Sequence, residues 1–224
     1  MLSIARKNIY TLFWAIVLPC LIAAIFNLEM LDRVFKPMLM PALIAAVLLL
    51  TNETKGRLKV LAALFFSFLG DVFLLLEEKS TIFFIAGLIC FLITHVFYIS
   101  YFAQIKRPGA SLTKKQPYWV ILLIFYTGGL LYLILPHLGT LKIPVIAYAC
   151  IISIMLYYSL AIPYSVNKTV RQLFTAGALF FVISDSLFAL NKFYHSFTLA
   201  SFLIRLTYCL AQYFIVRAFI KKRH

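Results

Sequence analysis

The sequence predicts an all-α fold, a polytopic integral membrane bundle of eight transmembrane helices with both termini cytoplasmic. Of the 224 residues, 64% are hydrophobic and only 12% charged, and the mean hydropathy is +0.99. A soluble domain has an apolar fraction nearer one half. The apolar residues also come in segments of about 20, the helix length that crosses a hydrocarbon core, and not in the roughly ten-residue alternating runs of an outer-membrane barrel. The connecting segments are short, so nothing is left over for a soluble domain and 1–224 reads as a single transmembrane domain.

The spans are expected at 9–26, 36–50, 58–76, 82–104, 118–135, 143–164, 171–190 and 198–219. The first lacks a small-residue cleavage pattern and runs into Asn27-Leu28-Glu29-Met30, so it reads as a retained helix and not a removed signal. The second is short and opens at Lys36-Pro37, a proline suited to a first turn, with Pro41 one turn later. Spans 3 and 7 each carry one aspartate, span 4 carries His95 and Tyr98, span 6 carries Tyr148, and span 8 carries Arg205, Tyr208 and Gln212. Between spans 4 and 5, the stretch from Lys106 to Pro117 is polar and forms the longest loop. Cys20, Cys90, Cys150 and Cys209 fall within spans without close spacing, which indicates neither a disulfide framework nor a thiolate metal site.

A net charge of +14 raises the question of nucleic acid, but its distribution answers it. With eight spans, the termini and the loops after spans 2, 4 and 6 share one side, and that side holds 15 of the 21 Lys and Arg residues. The positive-inside rule makes that side cytoplasmic. The expected partners are therefore membrane lipids and a lipid substrate, with no nucleic acid, and the compact loops suit a bacterial cytoplasmic (inner) membrane.

Asp71 and Asp185 are the acidic residues inside the hydrophobic segments. A carboxylate there costs about 3 kcal/mol on an insertion scale, so it needs a partner or a purpose. Asp71 follows Arg57 by 14 residues and Asp185 follows Arg171 by 14, which lifts each about 21 Å along its helix. The two are expected to be level, in the half of the bilayer away from the termini. Tyr148 and Arg205 fall near the same plane, and Lys36 and Asn191 at the rim above it. Arg205, Tyr208 and Gln212 follow a three-then-four spacing and share one face of span 8. Arg205 is a candidate ion-pair partner for Asp185. His95, counted 13 residues into span 4, is expected about 20 Å down, below the carboxylates, with Tyr98 one turn deeper.

Lys36-Pro37, Gly70-Asp71, His95-x-x-Tyr98, Tyr148, Gly177-Ala178-x-x-Phe181-x-x-Ser184-Asp185 and Ala211-Gln212, in that order, resemble the YhhN family of transmembrane lysoplasmalogenases. The resemblance covers nearly the whole chain; Thr94 before His95 is one departure from the pattern. It implies an eight-helix hydrolase that cleaves the vinyl ether bond of lysoplasmalogens to a fatty aldehyde and glycerophosphoethanolamine or glycerophosphocholine, with no cofactor. The family's two intramembrane aspartates correspond to Asp71 and Asp185.

Two carboxyl groups suit this chemistry. A vinyl ether hydrolyses when a proton reaches its β-carbon, giving an oxocarbenium ion that water traps, so an acid and an anion are both needed. Burial favours the protonated form of one carboxyl, and a basic neighbour keeps the other ionised. On this reading Asp71 is the donor and Asp185, where Arg205 is close to it, the anion; the same chemistry allows the two roles to be exchanged. Lys36 and Asn191 hold the headgroup phosphate while the chain runs down past Tyr98, and His95, Tyr148, Tyr208 and Gln212 complete the substrate-binding set. The same buried Asp, His and Arg residues would also suit a proton-coupled or lipid transporter. A metal-dependent hydrolase is disfavoured, because three of the four histidines lie in loops or at the terminus.

Overall fold

The computed structural model describes residues 2–51, 56–105 and 117–222, and every regular element among them is helical. The α-helices are α1 (Leu2–Phe26), α2 (Glu29–Leu50), α3 (Arg57–Leu74), α4 (Thr81–Ile105), α5 (Pro117–Ile134), α6 (Lys142–Leu160), α7 (Lys168–Ala189) and α8 (Ala200–Lys221). Seven are long and apolar enough to cross a membrane, and the chain is an integral multi-pass membrane protein. The exception is α3, whose 18 residues include Arg57, Lys59 and Asp71. It is nonetheless packed into the bundle between α2 and α4. Of the expected loop from Lys106 to Pro117, residues 106–116 lie outside the described residues, as do the basic Lys55 and Arg223.

Two boundaries differ from the sequence expectation in ways that reshape the site. The second helix starts at Glu29, seven residues before Lys36, because α1 ends in a tight reversal. Asn27 takes the left-handed conformation at φ 52°, and the Leu28 amide donates back to the Ala23 carbonyl at 3.0 Å, the pattern that caps a helix with its last carbonyl satisfied. Glu29 and Asp32 then occupy the first turn of α2, where negative charge complements the helix dipole. Lys36-Pro37 consequently lies inside the helix and not at its start. At the other boundary, α7 begins at Lys168, where the Asn167 side chain accepts from the Thr169 amide at 2.9 Å, and continues past Ala189 as a π-helical turn, Leu190–Tyr194.

The helices pack mainly as neighbours in sequence, α1 on α2, α3 on α4 and α7 on α8, while α2 also touches α3 and α8, and α4 touches α6. Close approach of α7 and α8 depends on Gly177: a Cβ there would fall 2.6 Å from Ile215 Cγ1 and 2.9 Å from the Ala211 carbonyl oxygen. Small residues at a helix contact let backbones meet where apolar lipid supplies no driving force of its own. The most buried span is α8, whereas α5, at the periphery, is the least buried.

The core half nearer the termini is aromatic. Tyr101, Phe102, Phe174 and Phe219 interlock with ring centroids 5.4 to 6.0 Å apart. Above them Phe181 of α7 meets Tyr98 at 6.0 Å and Tyr208 at 5.8 Å. This layer forms a closed floor, and the polar residues of the outer half gather on top of it.

Candidate active site

A cavity of about 260 Å³ lies above the aromatic floor, and both Asp71 and Asp185 are on its wall. Asp71 sits in the last turn of α3, with its side chain buried. Its Oδ2 accepts a hydrogen bond from the Tyr208 hydroxyl of α8 at 2.8 Å. Tyr208 is held in turn by the edge of Phe91, 5.8 Å away and nearly perpendicular. That ring has room because residue 70 is glycine, where a Cβ would stand 2.7 Å from it.

Asp185, from α7, is arranged in parallel but with one more donor. Its Oδ2 accepts from the Tyr148 hydroxyl of α6 at 2.6 Å and lies 3.2 Å from His95 Nε2 of α4. His95 Nε2 is also 2.9 Å from the Tyr148 oxygen, closing a triangle. With the Tyr148 proton directed at the carboxylate, the network assigns the histidine proton to Nε2. His95 Nδ1 is buried with no partner among the described residues, consistent with a bare lone pair in an apolar setting. Phe181 packs edge-on against the imidazole at 5.1 Å. Thus each aspartate has Oδ2 fixed by a tyrosine from another helix, while Oδ1 of each is uncommitted among the described residues.

His95 therefore does not lie below the carboxylates, as depth counting had it, but bonds to one of them. Counting treated Asn191 as the far end of span 7. The π-helical turn extends that helix to Tyr194 and sets Asp185 correspondingly deeper, within reach of α4.

Arg205 lines the cavity, yet its partner is not Asp185. Its Nη2 donates to Asp32 Oδ2 at 2.9 Å, Nη1 lies 2.7 Å from Asp32 Oδ1, and Nη1 also donates to the Cys20 carbonyl at 2.7 Å. This ion pair and the bond to the Cys20 carbonyl fasten α8 to α2 and α1, and Asp32 neutralises the guanidinium. Sequence reasoning missed Asp32 by assigning it to a loop, although Asn27 followed by two acidic residues is a legible helix-stop and helix-start signal.

Lys36 also lines the cavity. Among the described residues it has no hydrogen-bond or ion-pair partner, which makes it an uncommitted cation there. Asn191 stands on the same wall and accepts from the Phe197 amide at 3.3 Å. Lys192 pairs with Glu77 at 3.1 Å, and both line the cavity with partly exposed side chains. Nothing in the sequence links those two, which join the turn after α3 to the π-helical turn.

Tyr98 and Gln212 stand apart from the cavity wall. The Tyr98 hydroxyl donates to Gln212 Oε1 at 2.6 Å, and Gln212 Nε2 donates to Ser67 Oγ at 2.8 Å. Ser67 meets Thr94 Oγ1 at 3.1 Å, and that hydroxyl lies 3.1 Å from the carbonyls of Ala63 and Cys90. This buried chain cross-links α3, α4 and α8 below the site, and the hydroxyl of Thr94 is one of its links.

Two carboxyl groups, from α3 and α7, and the Lys36 ammonium thus face one cavity. Among the described residues no group of three His, Cys, Asp or Glu side chains is placed to hold a metal ion.

A model of the YhhN family matches residues 31–219. The chain is 32% identical over 170 residues to lysoplasmalogenase TMEM86A of Homo sapiens, an alignment that covers 74% of this chain and 66% of the human protein. It is 33% identical over 180 residues to lysoplasmalogenase TMEM86A of Bos taurus, covering 78% and 70% respectively. The chain thus spans about two thirds of the length of these curated relatives. No solved structure matches it.

Proposed function

The chain belongs to the YhhN family, and from that premise we propose that it is a membrane-embedded hydrolase that cleaves the vinyl ether bond of lysoplasmalogens. The observation that carries this reading is the pair of aspartates on one cavity wall, each with one oxygen anchored by a tyrosine hydroxyl. The names of the relatives supply the substrate class.

Asp71, buried and served by a single donor, is the proton donor; Asp185, with two donors on one oxygen and a side chain 24% exposed, is the anion. Charge-assisted hydrogen bonds of this kind contribute about 1.5–3 kcal/mol each, and they replace the role that Arg205 was expected to play. The Asp71 carboxyl gives its proton to the β-carbon of the vinyl ether, the π pair forming the new C–H bond and leaving an oxocarbenium ion that the Asp185 carboxylate faces. Water adds to the α-carbon as Asp185 takes its proton. The hemiacetal then breaks at the glycerol oxygen, which Asp185 protonates, while Asp71 recovers a proton from the hemiacetal hydroxyl. The products are a fatty aldehyde and the glycerophospho-alcohol, and both carboxyl groups end as they began. Lys36 is placed to meet the headgroup phosphate.

Purified protein incubated with a lysoplasmalogen and with its saturated ether analogue tests the reading. Free aldehyde is expected from the first alone. Asp71→Asn and Asp185→Asn should each lose most of that activity while remaining folded; wild-type turnover in either overturns the two-carboxylate mechanism. Absence of aldehyde from the wild-type protein overturns the activity itself.

A further inference from the structure

The floor of the cavity is sealed, so the hydrocarbon chain of an amphiphilic substrate needs another exit. Tyr98, Phe102 and Phe181 are completely buried below the two carboxylates, which closes the downward path that the sequence suggested. A second, small pocket of about 40 Å³ lies sideways, between α5, α6 and α7. Its walls are mostly carbon, with Leu130 and Ile134 from α5, Ile152 from α6 and Val182 from α7. It adjoins the main cavity, because Val145, Tyr148, Asp185 and Ala189 line both. Asp71 lines only the main cavity.

We propose that the pocket between α5, α6 and α7 is the entrance to the subsite for the hydrocarbon chain, and that α5 is the wall that parts to admit it. This rests on the lipid-hydrolase reading and specifies how that site divides its substrate. In a single-chain lipid ether, the scissile group sits where the polar headgroup meets the apolar chain. Asp185 occupies the corresponding junction in the protein, with polar groups and the free Lys36 on one side and an apolar slot on the other.

The helix that closes the slot is the least buried of the seven spans. Side-chain hydrogen bonds across the slot tie α5 to its neighbours, Tyr126 to Ser186 of α7 and Thr127 to Ser153 of α6, each at 2.7 Å. Among the described residues its Gly128 and Gly129 have nothing within 4 Å of where a Cβ would stand. Hydroxyl pairs of this kind contribute modestly within a membrane, so separating them is a small barrier.

Filling the slot tests the proposal. In Ala149→Phe the added ring occupies the pocket, and because Tyr148 and Asp185 share its wall a short-chain substrate serves as the control for intact chemistry. Turnover of a long-chain lysoplasmalogen should fall about tenfold or more in kcat/KM, the loss expected when two or more methylenes are expelled from an apolar site, while a short butenyl analogue keeps its wild-type value. Equal loss for both substrates, or no loss for either, overturns the proposal. A second measurement does not depend on that variant or on turnover. Wild-type protein is photolabelled with a saturated ether lysolipid carrying a diazirine in mid-chain, with and without excess unlabelled lysolipid. Competable label on peptides of α5, α6 and α7 supports the subsite, and label elsewhere, or label that competitor does not displace, overturns it. If wild-type protein released no aldehyde, the hydrolase reading would fall while the labelling still decided where a lipid chain binds.

Discussion

Replacing Tyr148 with phenylalanine removes a single oxygen from the site and leaves the ring in place. That oxygen donates to Asp185 at 2.6 Å and contacts His95 Nε2 at 2.9 Å, so its loss takes away the shorter of the two bonds that fix the carboxylate. A hydrogen bond to a charged group contributes about 1.5–3 kcal/mol. If Asp185 develops its full role only as the oxocarbenium ion forms, that energy appears in kcat, at about tenfold per 1.4 kcal/mol, giving a fall of roughly 10- to 150-fold. KM should change little, because the hydroxyl orients the carboxylate and does not carry the headgroup. The assay is aldehyde release from lysoplasmalogen in detergent micelles, with Tyr98→Phe as the control. Tyr98 is more deeply buried and makes an equally short bond, 2.6 Å to Gln212, but stands off the cavity wall, so its loss should lower thermal stability and spare kcat. The reasoning is refuted if folded Tyr148→Phe retains kcat within about twofold of wild type, or if Tyr98→Phe loses as much.

Lys36→Met should raise KM about tenfold with kcat little altered, while Lys36→Arg keeps most of the affinity; steady-state kinetics on the two variants separate charge from shape. Asp32→Asn leaves the Arg205 guanidinium without its counter-ion. Because the two side chains are 12% and 22% exposed, the cost should fall toward the lower end for a broken buried pair, about 3 kcal/mol. The double change Asp32→Leu with Arg205→Met should recover much of that stability, read as the thermal midpoint in detergent. Gly177→Leu should lower the midpoint by the equivalent of about 1–3 kcal/mol through overpacking, whereas Gly128→Leu, facing open space, should leave it unchanged.

Much of the fold was legible because hydropathy over a window of about 20 residues is a local property. Helix number, and the fact that Asp71 and Asp185 lie within helices, followed from it. The errors of boundary came from backbone chemistry at the ends: a left-handed Asn27 that restarts the chain as a helix at Glu29, and a π-helical turn that prolongs α7 beyond Ala189. The first error misplaced a helix start by about two turns and the second a helix end by about one, and each changed a partner.

By itself the sequence determined that this chain crosses a membrane several times and sets Asp71 and Asp185 inside spans, at a cost that demands compensation. Only the tertiary structure decided which groups provide it: Tyr208 for Asp71, Tyr148 and His95 for Asp185, and Asp32 in place of either for Arg205. It also decided that Tyr98 and Gln212, on the right faces at plausible depths, turn into a structural chain and not into the cavity. Rise and periodicity fix where a side chain lies along and around its own helix. The tilt and rotation that bring two helices together are set by packing against all the others, down to the single missing methyl at Gly177, and that information is held jointly by residues far apart in the chain.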